Sequence, residues 1–424
     1  LGIFYALFGL LGLKLANLTA LFIFFLSFYF LSEKILKKNV FLPLIFSLTS
    51  LVVFWFSKFT LGENLTLALL WFAIWKIREF WEGEKKVDFF LASLSLGILL
   101  FVRLETFLIL GAIFIIFWIR HKKPSVLLNK IGIFNGIFWL ALGGLFSAGF
   151  VVNVEFYIFI LKGFLGGIGG SFSAEDGIWQ EIIRTFNIFS AYSILIFFAF
   201  SLLGINYFFR KKDWASLLPF LAILPTYVFL LDPNISNDHP WMLRRFLYSL
   251  IPTFFLYTAV FLEVFFKKKR TLLFFSSLLV LFNLLLLYPY FTFIPNKGLL
   301  PKTQEISQNF ADNDLILVDR LSSGDPYSML SGPLSFLFHK QAVYFFNPED
   351  LERLDLDKFP RVFFLIPDSN LDFYQKSGLL KRMVLQSAYQ LELETLRNTD
   401  EIRRVNLPAR ENSLINGGIY EYLK

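Results

Sequence analysis

No cysteine occurs in the 424 residues. A disulfide framework and a cysteine-ligated zinc or iron–sulfur site are therefore excluded, although the compartment stays open. Charged residues are few, 17% of the chain, and apolar residues many, 56% with 57 Phe. This is the opposite of the composition of a disordered chain. It also exceeds the apolar share of about 45–50% in soluble domains. The mean hydropathy of +0.60 points to a membrane protein.

The excess is not evenly spread. Residues 1–295 hold 25 Lys/Arg, 15 Asp/Glu and 48 Phe, a net charge of +10. Residues 296–424 hold 15 Lys/Arg, 18 Asp/Glu and 9 Phe, a net charge of −3. The first part reads as membrane-embedded and the second as water-soluble, so the expected domains are 1–295 and 296–424. Basic charge in a membrane part reflects cytoplasmic loops rather than nucleic-acid binding.

A helix needs roughly 20 apolar residues to cross the hydrocarbon core. Ten stretches qualify as candidate spans: 15–32, 40–57, 60–77, 88–103, 105–119, 131–151, 186–209, 214–231, 246–266 and 271–294. Residues 1–13 read as the end of an eleventh. The chain opens on Leu1 inside this apolar run, which reads as a chain lacking its N-terminus. The loops after the odd-numbered spans carry 18 of the 25 Lys/Arg, at least three in each, for example Lys34, Lys37 and Lys38 or Lys267, Lys268, Lys269 and Arg270. The positive-inside rule puts these loops in the cytoplasm and the C-terminal part outside. The expected fold is a polytopic α-helical membrane protein with ten to eleven transmembrane helices and a small C-terminal α/β soluble domain. Its expected location is a prokaryotic plasma membrane.

Polar departures from this background gather at the outer ends of the spans. Thr60-Leu61-Gly62-Glu63 opens the third span. It reads either as an N-cap with its capping-box partner or as a carboxylate at the mouth of a cavity. Arg103 and Glu105 interrupt two apolar runs. Such charges must face protein or water, as a salt-bridged turn or as an Arg held at a pocket. The long loop 152–185 contains a glycine-rich stretch, Gly163–Gly170, followed by Glu175 and Asp176. Those carboxylates could bind a divalent cation, act as acid or base, or remain solvated. The glycines follow no strand, so a dinucleotide site is excluded. The most specific stretch runs from Asp238 and His239 through Trp241, Arg244 and Arg245 to Pro252. Two adjacent Arg on the outer side break the charge rule. They suit either a bound phosphate, which Arg grips with two parallel hydrogen bonds, or anchoring with Trp241 at lipid headgroups. His239 reads as a loop residue.

In order and sidedness these stretches resemble the GT-C superfamily of membrane glycosyltransferases, near protein mannosyltransferases and lipopolysaccharide core sugar transferases. The resemblance rests on Thr60-Leu61-Gly62-Glu63, on Leu94 through Gly97 to Arg103-Leu104-Glu105 (Leu104 standing where Pro is usual), and on Trp241-Met242-Leu243-Arg244-Arg245 through Pro252. It covers most of 1–295. It implies transfer of a sugar from a polyprenyl-phosphate donor to a lipid, glycan or protein acceptor at the outer face, with inversion at C1. It implies Arg244, Arg245 and Arg103 as donor-phosphate ligands, with Glu63, Glu105, Glu175, Asp176, His239 and Trp241 around the pocket. The family's acidic general base belongs to a segment before Leu1, so no base is assigned to any residue here. No cofactor or metal site is assigned, and a divalent metal is compatible with the chemistry.

Two other functions fit the same outline. A lipid-linked glycan transporter or flippase would show internal repeats and charges near the membrane midplane, and neither is evident. An O-antigen ligase or polymerase would share the long outer loop and the arginines but lack a folded α/β tail. In that tail, 314–319, 342–346, 361–366 and 418–422 read as strands, with helices at 329–338 and 371–380. This alternation indicates an α/β domain of accessory function. It has no phosphate loop, metal spacing or nucleophile elbow. Asp319, at a strand's carboxyl end, is either a ligand-site candidate or a solvated carboxylate.

Overall fold

The computed structural model describes residues 2–59, 62–103, 105–121, 131–155, 158, 177–230, 239–324, 329–398 and 405–424. These divide into two compact units. The first takes in the chain to Phe291, and the second runs from Thr292 to the C-terminus apart from 399–407. The compositional break at 295 thus falls four residues beyond the structural one.

The described residues of the first unit up to Phe291 form helices joined by turns. Its helices are α1 (Gly2–Ile35), α2 (Leu42–Thr49), α3 (Leu51–Ser57), α4 (Gly62–Gly83), α5 (Lys86–Val102), α6 (Thr106–His121), α7 (Ile133–Val152), α8 (Gly177–Ala191), α9 (Ile194–Lys211), α10 (Trp214–Ile223), α11 (Arg244–Leu247), α12 (Leu250–Phe265) and α13 (Lys269–Leu287). Every expected span is occupied by one of these helices or by a consecutive pair. Among the described residues three helices are long and apolar enough to cross a membrane: 3–35, 194–211 and 269–290. A fourth candidate is the bent pair 241–247 and 250–265. The protein is thus a membrane protein by its apolar helices, with a C-terminal sheet domain.

Several expected single spans are broken, each for a local reason. The second breaks at Ser50, whose ψ of 126° is extended, giving α2 and α3. Pro219 lies inside α10, where proline removes a ladder bond and bends the helix. Beside it the buried Tyr257 hydroxyl enters the ladder. It accepts from the Phe220 N–H at 3.4 Å and donates to the Ser216 carbonyl at 2.8 Å, the two groups an unbroken turn would pair. Pro252 acts likewise in the first turn of α12. It has no N–H for the Tyr248 carbonyl four residues back, and the Trp71 indole N–H of α4 donates to that carbonyl instead at 2.9 Å. The chain bends by 59° across this break.

Close backbone approach fixes the centre of the unit. A side chain at Gly204 of α9 would collide with the Tyr257 carbonyl of α12, so only glycine lets these helices pack at this distance. At the end of the unit rich in Lys and Arg, Glu263 of α12 ties down the α1–α2 turn. It accepts from the backbone N–H groups of Lys37, Lys38 and Asn39 at 2.9–3.2 Å and from Asn39 Nδ2 at 3.1 Å.

The second unit contains α14 (Leu299–Ser307), β1 (Leu315–Asp319), α15 (Ser331–Phe336), β2 (Gln341–Phe345), β3 (Val362–Pro367), α16 (Leu371–Lys376), β4 (Met383–Arg397) and β5 (Ala409–Tyr422). The sheet order is β2-β1-β3-β5-β4. The first three strands are parallel, and β5 and β4 are antiparallel additions. Strands β1 and β3 are buried along their whole length, as parallel strands covered on both faces must be. Apolar residues pack on either face, for example Val318, Leu334 and Leu365 on one and Leu317, Phe364 and Tyr374 on the other. The strand β4 is not among the expected strands, yet Tyr389, Leu391 and Leu393 are buried and alternate with Gln390, Glu392 and Glu394. That period of two is a strand signal.

The Glu263 plug gives a first prediction. Glu263→Ala removes the acceptor of three backbone donors at an exposed turn, where water replaces it, at a net cost of roughly 0.5–1.5 kcal/mol. Limited trypsinolysis of the detergent-solubilised protein is then expected to cut at Lys37 or Lys38 faster than in wild type, and equal rates would show that the carboxylate does not hold the turn.

Candidate functional site

Three elements meet at one carboxylate. Glu63 lies in the first turn of α4, where the helix N-terminus favours negative charge, and it is 3% exposed. Arg103 ends α5 in extended conformation, its N–H still bonded to the Leu99 carbonyl. Its Nη2 donates to Glu63 Oε1 at 2.8 Å. Arg244, at the start of α11, places Nε 2.9 Å from the same oxygen. That contact is an ion pair whose angle does not make a hydrogen bond, and the Nε is otherwise unpartnered. Glu105, in the short turn between α5 and α6, lies 3.6 Å from Arg103 Nη1. The Thr106 hydroxyl closes this turn by donating to the Leu99 carbonyl at 3.2 Å.

Aromatic faces complete the setting. The Arg103 guanidinium lies 4.5 Å from the ring centroid of Tyr248, whose backbone the Trp71 indole holds. A cation over an aromatic face contributes about 0.5–2 kcal/mol, more when desolvated. Tyr248 is 1% exposed, with its hydroxyl close to the Arg103 guanidinium. Arg245 stands within electrostatic range of Glu105, Arg103 and Arg244. Among the described residues it has neither an ion pair nor a hydrogen bond. Its guanidinium sits 5.0 Å from the ring centroid of Phe229.

The charges therefore divide unequally. Glu63 and Glu105 neutralise Arg103 and Arg244, and Arg245 is left over. Of the three arginines expected at a phosphate, two are engaged with carboxylates and one is available. The Glu63 carboxylate faces the arginines, while the neighbouring Asn64 serves packing. Its Nδ2 donates to the Phe56 and Phe59 carbonyls at the end of α3, both at 3.0 Å, and to Asn17 Oδ1 of α1 at 2.6 Å.

The other expected residues lie apart from this cluster or outside the described residues. His239 is buried, 2% exposed, with Nδ1 3.0 Å from the Tyr192 hydroxyl. It is the loop residue expected, in a turn, and it is packed. Trp241 is half-buried against Trp55, Phe56 and Phe59, with ring centroids 4.8–6.3 Å apart. Thr60, Leu61, Leu104, the Gly163–Gly170 stretch, Glu175, Asp176 and Asp238 lie outside the described residues. Tyr248 and Trp71 were not among the expected site residues. Tyr248 stands inside the quoted motif, three residues after Arg245, whereas nothing local marks Trp71.

Two apolar grooves flank the helices that carry the cluster. One, of about 440 Å³, lies among α1, α4 and α5 and is lined by Asn17, Ala20, Leu65, Phe72, Leu94 and Ile98. The other, of about 750 Å³, lies between α6 and α10 with its following turn, and is lined by Phe107, Gly111, Ile115, Trp214, Leu221 and Pro225.

In the second unit Asp319 is buried, 2% exposed, rather than solvated. It accepts from the Tyr374 hydroxyl at 2.6 Å, Asn370 Nδ2 at 2.8 Å and the Leu321 N–H at 2.8 Å. Burial and the adjacent Asp319 charge push the Tyr374 hydroxyl pKa well above its ordinary value.

Compared with known proteins, the chain matches no family model, no curated protein and no solved structure.

The shared carboxylate predicts a stability effect. Removing one member of a buried ion pair costs roughly 3–5 kcal/mol. Glu63→Gln is therefore expected to lower the thermal midpoint in detergent clearly, and Glu63→Gln with Arg103→Gln is expected to recover part of the loss. Superimposable melting curves for wild type and Glu63→Gln would show that the pairing contributes nothing.

Proposed function

We infer that the chain is a membrane glycosyltransferase that moves a sugar from a polyprenyl-phosphate donor to an acceptor at the extracytoplasmic face. One observation carries this reading. Among the described residues Arg245 forms no ion pair, in a cluster whose other two arginines are already paired. An unpaired guanidinium beside apolar helices calls for an anion from outside the protein, and the guanidinium fork matches phosphate oxygens. The flanking grooves are of a size and polarity to take part of an isoprenoid chain. In this reading the ten apolar segments cross the bilayer, the basic loops lie in the cytoplasm, and the second unit lies outside. The four paired arginine and glutamate side chains shape the pocket, and Arg245 holds the phosphate.

The chemistry asks little of the donor site beyond charge. An acceptor hydroxyl oxygen bonds to C1 of the sugar as the C1–O bond to the phosphate breaks. The electron pair moves to the leaving phosphate oxygen, and C1 inverts. Positive charge aimed at that oxygen stabilises the transition state more than the ground state, because the negative charge grows there. The acceptor's proton passes to a base that is not assigned to any residue of this chain. Glu63 and Glu105 are occupied by arginines and are positioning residues.

Two experiments test this. Arg245→Ala is expected to lower sugar transfer from a polyprenyl-phosphate donor by about 10²-fold, the cost of one lost donor to a developing charge, with an unchanged melting curve. Arg245→Lys is expected to recover only part, because it loses the fork. Transfer at the wild-type rate in Arg245→Ala would refute the assignment. The cysteine-free sequence also allows a direct test of sidedness. Single cysteines at Lys37 and at Lys340 are expected to react with an impermeant maleimide from opposite faces of sealed cells, Lys340→Cys from outside. Labelling of both from one side would overturn the topology.

A further inference from the structure

The second unit carries a polar concavity that the transferase reading does not use. It has a volume of about 340 Å³ and lies where Asp368 follows the end of β3, over the hairpin of β4 and β5. Its polar lining comes from Asp368, Tyr389, Gln390, Asn416 and Tyr420. In open α/β sheets ligands bind outside the carboxyl ends of the parallel strands. β3 is the last parallel strand before the antiparallel addition, so the concavity occupies that position.

The local structure keeps this surface open. Gly417 and Gly418 pair with Tyr389 and Ala388 of β4. A side chain at Gly418 would collide with the Tyr420 ring, and one at Gly417 would come within 2.5 Å of the Ile366 carbonyl. The Tyr420 ring therefore lies over a glycine and stands half-buried as one wall. The hairpin is irregular between Leu385 and Ser387, and such bulges re-aim side chains. Tyr389 is fixed from below, its hydroxyl donating to the Ser322 carbonyl at 3.1 Å. Gln390 Nε2 donates to Asn416 Oδ1 at 3.1 Å. That contact orients the two amides and leaves Gln390 Oε1 and the Asn416 NH₂ for a ligand.

The lining selects a ligand class. It contains one carboxylate, two amides and two phenols, and neither Lys nor Arg. An anion would meet only the negative charge of Asp368. A hard cation takes six or more oxygen ligands, normally with several carboxylates, and one is present. A carboxylate and two planar amides beside an aromatic face suit a ligand that presents adjacent hydroxyl groups and an apolar C–H face. We propose that this concavity binds a neutral saccharide. Its use as an acceptor platform rests on the transferase reading, whereas the binding itself does not.

Saturation-transfer NMR on the full chain in detergent tests the proposal, with mannotriose, chitotriose and cellotriose as probes at millimolar concentration. At least one is expected to give signals at its ring protons. Asp368→Ala and Asn416→Leu are each expected to weaken that binding by roughly tenfold, the value of one lost charge-assisted or bidentate contact. The exposed-site variant Gln390→Ala serves as a second probe should either variant prove unfolded by its melting curve. Arg245→Ala is expected to leave saccharide binding unchanged. The proposal is overturned if no probe gives signals, if all folded variants bind as wild type does, or if only inorganic phosphate displaces the probe. Loss of transfer in Arg245→Ala with no saccharide bound would overturn it while leaving the transferase reading intact.

Discussion

One carboxylate oxygen organises the polar part of the first unit. Glu63 Oε1 receives Arg103 from the end of α5 and Arg244 from the start of α11, so three distant stretches of sequence are fixed at one point. Arg103 and Glu63 are largely buried, so neither could remain there unpaired without a large desolvation cost, whereas Arg244 is partly exposed. The helix N-terminus at Glu63 supports the carboxylate, and Asn64 beside it holds the end of α3 against α1. The first turn of α4 is therefore both the electrostatic centre and a packing joint. The position of every charge nearby depends on it.

The second constraint is where the backbone is broken. Pro252 takes away one ladder bond, and the carbonyl it frees is claimed by Trp71 from another helix. This turns a local defect into a tertiary contact and fixes Tyr248, whose ring then carries Arg103. The Tyr257 hydroxyl does the same work beside Pro219. In both places a proline-disturbed helix is satisfied by an aromatic side chain of a neighbour. This is how an apolar interior can hold irregular backbone without leaving polar groups bare.

Much of this was legible in the sequence, but unevenly. Helix positions follow from apolar runs, because lipid solvation writes composition directly. The breaks at Ser50, which is extended, and at Ser193, which is left-handed with φ 61°, are not visible in such runs, since a changed dihedral at one residue leaves the hydropathy unchanged. The juxtaposition of Glu63, Arg103 and Arg244 could be suspected from their exclusion from lipid, yet not which oxygen they share. The separation of Arg245 from its neighbour Arg244 was not legible at all. Adjacent residues on a helix point about 100° apart, so one meets Glu63 and the other faces Phe229. His239 lies in a turn as its neighbouring proline suggests, but its burial beside the Tyr192 hydroxyl has no local signal, because Tyr192 is 47 residues away. In the second unit the parallel strands are plain apolar runs. The strand β4 is masked by its charged Glu and Gln positions, although its alternation carries the signal.

The pairing pattern bears on turnover. Three free arginines around one phosphate would bind substrate and product alike, and uniform binding does not accelerate the chemical step. Two carboxylates among them reduce the local surplus to a single positive charge. The remaining guanidinium then matches one phosphate, and its interaction grows most as the leaving oxygen becomes charged. On the transferase reading, the same neutralisation limits how tightly the departing polyprenyl phosphate is held. On the transferase reading the glutamates are therefore not bystanders to the arginines. They set how much positive charge the site presents, and among the described residues they leave Arg245 as the cluster's arginine without an ion pair.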